Sequence, residues 1–94
     1  MTLNQLKYIV ALARESSFSK AADTCFVSQP TLSAALKSLE QELEVILFER
    51  RSGEITPTPV GELILEHAQR ALVETAAIGE IATRGEDQLS APLY

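Results

Sequence analysis

The chain reads as mainly α-helical: three short helices and a β-hairpin packed as one small domain, followed by a single long helix. Three observations predict this. Apolar residues recur at three-and-four spacing in separate stretches, each opened by Ser or Thr. One short run of β-formers, Val45-Ile46-Leu47-Phe48, leads into a polar segment containing Gly53. Thr58, Pro59 and Gly61 then open a stretch that meets no further proline until Pro92.

The 94 residues allow one domain, or one domain with an appendage. At 46% hydrophobic and 22% charged the composition is that of a globular protein. The net charge of −5 is unevenly spread. Residues 1–58 carry six cations (Lys7, Arg14, Lys20, Lys37, Arg50, Arg51) against seven acids. Residues 59–94 carry only Arg70 and Arg84 against six acids. Most of the excess acid therefore belongs to the last third, and charge alone argues neither for nor against a polyanionic partner. Cys25 is the only cysteine, which excludes an intramolecular disulfide and a cysteine-rich zinc site. The longest charge-free run, between Asp23 and Lys37, is 13 residues and too short to span a bilayer. Lys7 and Arg14 interrupt the N-terminal apolar pattern, so no signal peptide is visible. A cytoplasmic protein is expected, with no membrane contact. Nucleophile–base pairs, glycine-rich phosphate loops and paired catalytic acids are not found, so the chain is not read as an enzyme, and no cofactor or metal is expected.

Taken in order, Thr2 and Gln5 form a capping box. The helix they open places Leu3, Leu6, Ile9, Val10 and Ala13 on one face and ends at Ser16-Ser17. Ser19 is read as the next N-cap, with Lys20–Cys25 as a short helix whose Ala21 and Ala22 permit close packing. Phe26-Val27 turns the chain into Val27–Leu43. There Ser28 is the cap, Pro30 sits in the first turn, and Leu32, Ala35, Leu36, Leu39 and Leu43 make an apolar face. The opposite face carries Gln29, Thr31, Ser33, Ala34 and Lys37. A solvated helix face usually carries long charged side chains. Short hydroxyl and amide groups with one cation suit close approach to base edges and phosphates. Helix, tight turn and helix at this spacing is the helix-turn-helix arrangement, here about residues 18–37. The β-formers and returning Ile55-Thr56 add a wing, about residues 45–57, with Arg50 and Arg51 expected at its tip. Residues 1–58 are thus predicted to be a winged helix-turn-helix domain.

Residues 59–84 are predicted to form one helix, capped by Thr58 and stopped by Gly85. A helix of ~25 residues is ~37 Å long, more than so small a domain can cover. Ile64, Ala68, Ala71, Thr75, Ile78 and Ala82, widened by Leu72, make a stripe suited to a second helix, most simply its copy in a homodimer. Residues 85–94 read as an exposed hinge.

The co-linear set Ala21-Ala22, Ser28-Gln29-Pro30-Thr31-Leu32-Ser33, Leu39-Glu40, Leu43, Leu47-Phe48, Arg50 and Thr58-Pro59-Gly61 resembles the N-terminal domain of LysR-type transcriptional regulators. Within that family AADTCFVSQPTLS and the closing QLSAPLY are most similar to the hydrogen-peroxide-sensing subtype. The resemblance implies binding of double-stranded DNA, dimers through antiparallel linker helices, tetramers of the full-length protein, and an effector domain beyond the hinge. It implies Gln29, Thr31 and Ser33 in the major groove and Arg50 near the minor groove or its phosphates. Ser28, Pro30, Ala34, Lys37, Arg51 and Thr58 complete the candidate DNA-contacting set. Four positions depart from the family pattern: Glu44 for the usual Gly, Ala34 and Ala35 for longer polar residues, and Pro57 for an aliphatic one.

Blander readings compete at each position. Gln29, Thr31 and Ser33 could be simple helix-start residues, Lys37 a solvated lysine, and Arg50 and Arg51 solubilising charge. Cys25 reads as a small hydrophobe rather than a reactive thiol, and His67 as a surface or interface residue. Glu40, Glu42 and Glu44 oppose the helix dipole and are expected to pair with Arg50 or Arg51. The rival function is an acidic helical protein-interaction module that keeps a winged-helix core without contacting DNA.

Overall fold

A computed structural model describes residues 1–88. The order is α1 (Leu3–Glu15), α2 (Phe18–Cys25), α3 (Gln29–Leu43), β1 (Phe48–Arg51), β2 (Glu54–Pro57) and α4 (Pro59–Gln88). This is the predicted architecture, with several boundaries moved.

α1 lies at the centre, packed against α2, α3, α4 and β2. Its capping box is complete: Gln5 N–H donates to Thr2 Oγ1 at 3.1 Å and Thr2 N–H to Gln5 Oε1 at 2.9 Å. Because neighbours sit on several sides, Leu6, Ile9, Val10, Ala11 and Leu12 are all buried, a wider face than the sequence pattern marks, while Leu3 is exposed. Ala21 and Ala22, at 0% and 3% exposure, are the close-packing positions of α2. The core continues through Leu32, Leu36 and Leu39 of α3, Leu47, Phe48 and Ile55 of the wing, and Leu65 and Ala68 of α4. Leu39 is fully buried behind α3. Truncating such a leucine costs about 2–5 kcal/mol, a large part of a small domain's stability.

The cap of α2 is Ser17, two residues before the predicted Ser19, and Phe18 is the first helical residue. Ser17 Oγ accepts from Lys20 N–H at 3.2 Å. Three helices end on a left-handed residue that is not glycine: Ser16, Phe26 and Glu44. At the helix-turn-helix elbow Val27 N–H returns to the Ala22 carbonyl at 3.0 Å and Phe26 N–H to Asp23 at 3.2 Å. Those local backbone bonds close α2 without the usual glycine, although the Phe26 side chain is 94% exposed.

The wing begins later than expected. Val45–Leu47 form a connection rather than a strand, and only Phe48–Arg51 pairs with Glu54–Pro57, antiparallel, with Arg50 opposite Ile55. The turn is just Ser52-Gly53, both at positive φ, as a two-residue hairpin requires. Arg50 and Arg51 therefore lie in the strand, not at the tip.

α4 runs through Gly85 to Gln88. A lone glycine costs a helix interior about 1 kcal/mol relative to alanine but ends it only by leaving helical φ, which Gly85 does not do. The predicted hinge therefore starts too early, and its remaining residues, 89–94, lie outside the described ones. Thirty residues make α4 about 45 Å long, and the molecule's longest dimension is 56 Å. No helix among the described residues is long and apolar enough to cross a membrane.

Candidate nucleic-acid interface

α3 begins where the sequence places it. Ser28 caps it, accepting from Thr31 N–H at 3.2 Å, with Pro30 in the first turn. Burial of Leu32, Leu36 and Leu39 turns the opposite face outward, so Gln29, Pro30, Thr31, Ser33, Ala34 and Lys37 are all exposed. The Ser28 and Thr31 hydroxyls share a hydrogen bond of 2.8 Å, which fixes the Thr31 rotamer. Among the described residues the side chains of Gln29, Ser33 and Lys37 make no intramolecular hydrogen bond or ion pair. The front half of α3 carries no acid, and its N-terminal dipole adds positive potential. Its acids, Glu40 and Glu42, lie in the final turns.

Those acids are engaged elsewhere than expected. Glu40 Oε2 accepts from Leu47 N–H at 2.6 Å, and Glu42 pairs with the Met1 ammonium at 2.6 Å. Neither reaches Arg50 or Arg51. Glu44 adopts the left-handed cap that the family's glycine would fill.

Thr58 leaves the candidate contact set. It is 9% exposed, and its hydroxyl donates to the Ile46 carbonyl at 2.6 Å while accepting from Gly61 N–H at 3.0 Å. Its own N–H donates to the Leu47 carbonyl at 2.9 Å. Thr58 is thus a buried cap with no free polar atom for a phosphate. Glu40, Thr58 and Gly61, three of the motif positions, converge on the Leu47 peptide. Gly61 packs so tightly there that any Cβ would collide with the Leu47 carbonyl oxygen. This joint holds the wing against α3 and α4, and sequence spacing gave no sign of it.

The two wing arginines differ. Alternation along β1 puts Arg50 on the same face as buried Phe48, and Arg51 on the other with Glu49. The Arg50 guanidinium lies 5.4 Å from the centre of the Phe18 ring. Arg51 pairs with Glu49 at 3.4 Å. Cys25 is half-buried; burial pushes its thiol pKa up, against a smaller lowering by Arg14 and Lys7.

The predicted α4 stripe divides. Ala68 belongs to the domain's own core, and Ile64, Ala71 and Leu72 pack partly against it. Thr75, Ile78 and Ala82 are exposed. Leu63 and Ile81, 62% and 61% exposed, extend the same surface and were missed by the sequence reading. Leu63, Ile64, His67 and Ala71 line an apolar groove with Met1 and Leu43.

The family profile described as "Bacterial regulatory helix-turn-helix protein, lysR family" matches residues 3–62. The chain belongs to the LysR family. Within the family, it is 43% identical over 94 residues to the hydrogen peroxide-inducible genes activator of Pectobacterium carotovorum subsp. carotovorum, covering all of this chain and 31% of that protein. This LysR-family chain thus spans about a third of the length of that curated relative. A full-length OxyR variant from Pseudomonas aeruginosa superposes with TM-score 0.89 at 50% identity, covering 95% of this chain and 30% of that one. The BenM DNA-binding domain in complex with benA site 1 DNA superposes with TM-score 0.85 at 37% identity, covering 89% of this chain and 94% of that one.

Proposed function

We propose that this LysR-family chain is the DNA-binding part of an OxyR-like, peroxide-responsive transcription activator acting in the cytoplasm. The observation that carries the reading is the exposed, acid-free front of α3, where the side chains of Gln29, Ser33 and Lys37 have no hydrogen-bond or ion-pair partner among the described residues. Gln29, Thr31 and Ser33 would read base edges in the major groove, with Ala34 available to a thymine methyl. Ser28, Pro30 and Lys37 would lie along the phosphates. Arg50 would reach the minor groove or its phosphates from the wing, with Arg51 a weaker contributor because Glu49 already neutralises it. The similarity to peroxide-inducible activators supports the subtype, and the likeness to a domain in complex with DNA supports the partner.

The functional unit would be a homodimer joined through the α4 stripe, half-buried at Ile64, Ala71 and Leu72 and exposed at Leu63, Thr75, Ile78, Ile81 and Ala82, with tetramers in the full-length regulator. Two copies would meet half-sites separated by whole helical turns. The acidic interaction-module reading draws on net charge alone, and the acids nearest α3 are already occupied by Leu47 and Met1.

Titration with duplex DNA at increasing salt tests the reading. Each phosphate neutralised by Lys37, Arg50 or a neighbouring cation contributes about −0.9 to the slope of log affinity against log salt. A steep slope is expected, and no affinity even at low salt would remove DNA as the partner.

A further inference from the structure

The wing contains two consecutive arginines, but the fold prepares only one of them for a planar contact. Arg50 follows Phe48 on the inward face of β1 and stands opposite buried Ile55, so its aliphatic stem is flanked by apolar groups. Where the core ends, its guanidinium carbon lies 5.4 Å from the Phe18 ring centre. Phe18 is itself held. It is the first residue of α2, immediately after the Ser17 cap and ahead of buried Ala21 and Ala22, and its ring packs against the core.

We propose that Phe18 is the positioning residue for Arg50, an aromatic shelf at the start of the helix-turn-helix that sets the attitude of the wing's arginine toward DNA. The proposal rests on the reading of Arg50 as a DNA contact. A guanidinium lying over a ring presents its π face to the aromatic and keeps its N–H donors at the edge. Those donors stay free for a phosphate or base edge, and less side-chain freedom is lost when they bind. A lysine offers no such plane. Arg51 has no shelf. It faces away and spends its charge on Glu49, at 77% side-chain exposure. The shelf also links the wing to α2, so the hairpin's arginine and the recognition helix hold a fixed relation before DNA arrives.

The test is a double-mutant cycle with Phe18→Leu, Arg50→Ala and the pair, measured as affinity for a mixed-sequence DNA duplex at low salt. Phe18→Leu keeps apolar bulk and removes the ring; Phe18→Tyr keeps the ring. With Arg50 present, Phe18→Leu is expected to weaken binding about two- to fivefold, the size of an exposed cation–π contact. It should have no further effect once Arg50 is alanine, and Phe18→Tyr should bind as the parent does. An equal loss in both backgrounds, or no loss while Arg50→Ala weakens binding, overturns the positioning role and leaves the DNA contact intact. If Arg50→Ala itself is silent, the contact reading fails and the positioning role with it. A DNA-free readout separates the two: ring current should shift the Arg50 side-chain proton resonances upfield in the parent and in Phe18→Tyr, and not in Phe18→Leu. No upfield shift in the parent would overturn the shelf directly.

Discussion

Leu47 organises more of this surface than any residue that would meet DNA. Its N–H is taken by Glu40, its carbonyl by Thr58 N–H, and the helix start beyond it closes in only because residue 61 has no side chain. Two effects compete at Gly61. Helix propensity favours alanine by about 1 kcal/mol, whereas forcing a methyl against an immobile backbone carbonyl costs about 1–3 kcal/mol. The collision should win. Gly61→Ala is expected to lower stability by about 1–2 kcal/mol in denaturant unfolding. Gly79→Ala, with nothing within 4 Å, should be neutral or gain up to about 1 kcal/mol. A stable Gly61→Ala would mean that the joint can open. At this scale the sequence marked Glu40, Thr58 and Gly61 as motif members but misassigned one. Thr58 carries a hydroxyl that suits a phosphate equally well, and only its burial among Ile46, Leu47 and Gly61 reveals that it is spent. The face of α3 was legible because its leucines point one way and so dictate what points the other.

The elements themselves follow from capping and periodicity, and their ends do not. Thr2, Ser28 and Thr58 each offer a hydroxyl just before an apolar pattern, and all three caps formed as read. The C-terminal ends carried no glycine signal, since Ser16, Phe26 and Glu44 take the left-handed conformation themselves. Glu44 carries two penalties of the same sign. Its φ of 58° costs roughly 1–2 kcal/mol for an L-residue. Its carboxylate also sits at the negative end of the α3 dipole, worth about 0.3–1 kcal/mol. Glycine's larger unfolded-state entropy offsets part of this. Glu44→Gly should therefore raise stability by about 1 kcal/mol, read as a higher denaturant midpoint with unchanged slope. A lower midpoint would mean that the Glu44 side chain makes a compensating contact. The wing was displaced for a different reason. Val45, Ile46 and Leu47 are β-formers by type, but Glu40 takes the Leu47 N–H that a longer ladder would need, and the Thr58 carbonyl opposite it accepts from Glu62 N–H at the start of α4. α4 outran its predicted stop because a glycine in mid-helix is tolerated when the residues around it remain helical.

For the whole molecule, the imbalance is between a compact domain and a long helix whose outer half is largely exposed among the described residues. Val73, Ile78 and Ile81 are 65%, 68% and 61% exposed, a wasteful arrangement for a monomer. Ile78→Glu leaves the domain core untouched and is expected to shift the chain to monomers in sedimentation, with affinity for a two-half-site duplex falling more than for a single half-site. An unchanged dimer would locate self-association on another surface. The sequence reading found this stripe by its seven-residue spacing, yet it could not tell that Ala68 faces inward, because an alanine serves a core and an interface equally. Net charge was the least informative property, since most of the excess acid lies along α4 and not on the front of α3. The most direct measurement of the central claim is residue-resolved NMR of the chain as duplex DNA is added. The largest shifts are expected on Gln29, Thr31, Ser33 and Lys37 of α3 and on Arg50 of the wing, with the Leu47 joint and buried Thr58 little changed. Shifts confined to α4, or an α3 front that stays unperturbed at saturation, would contradict that claim.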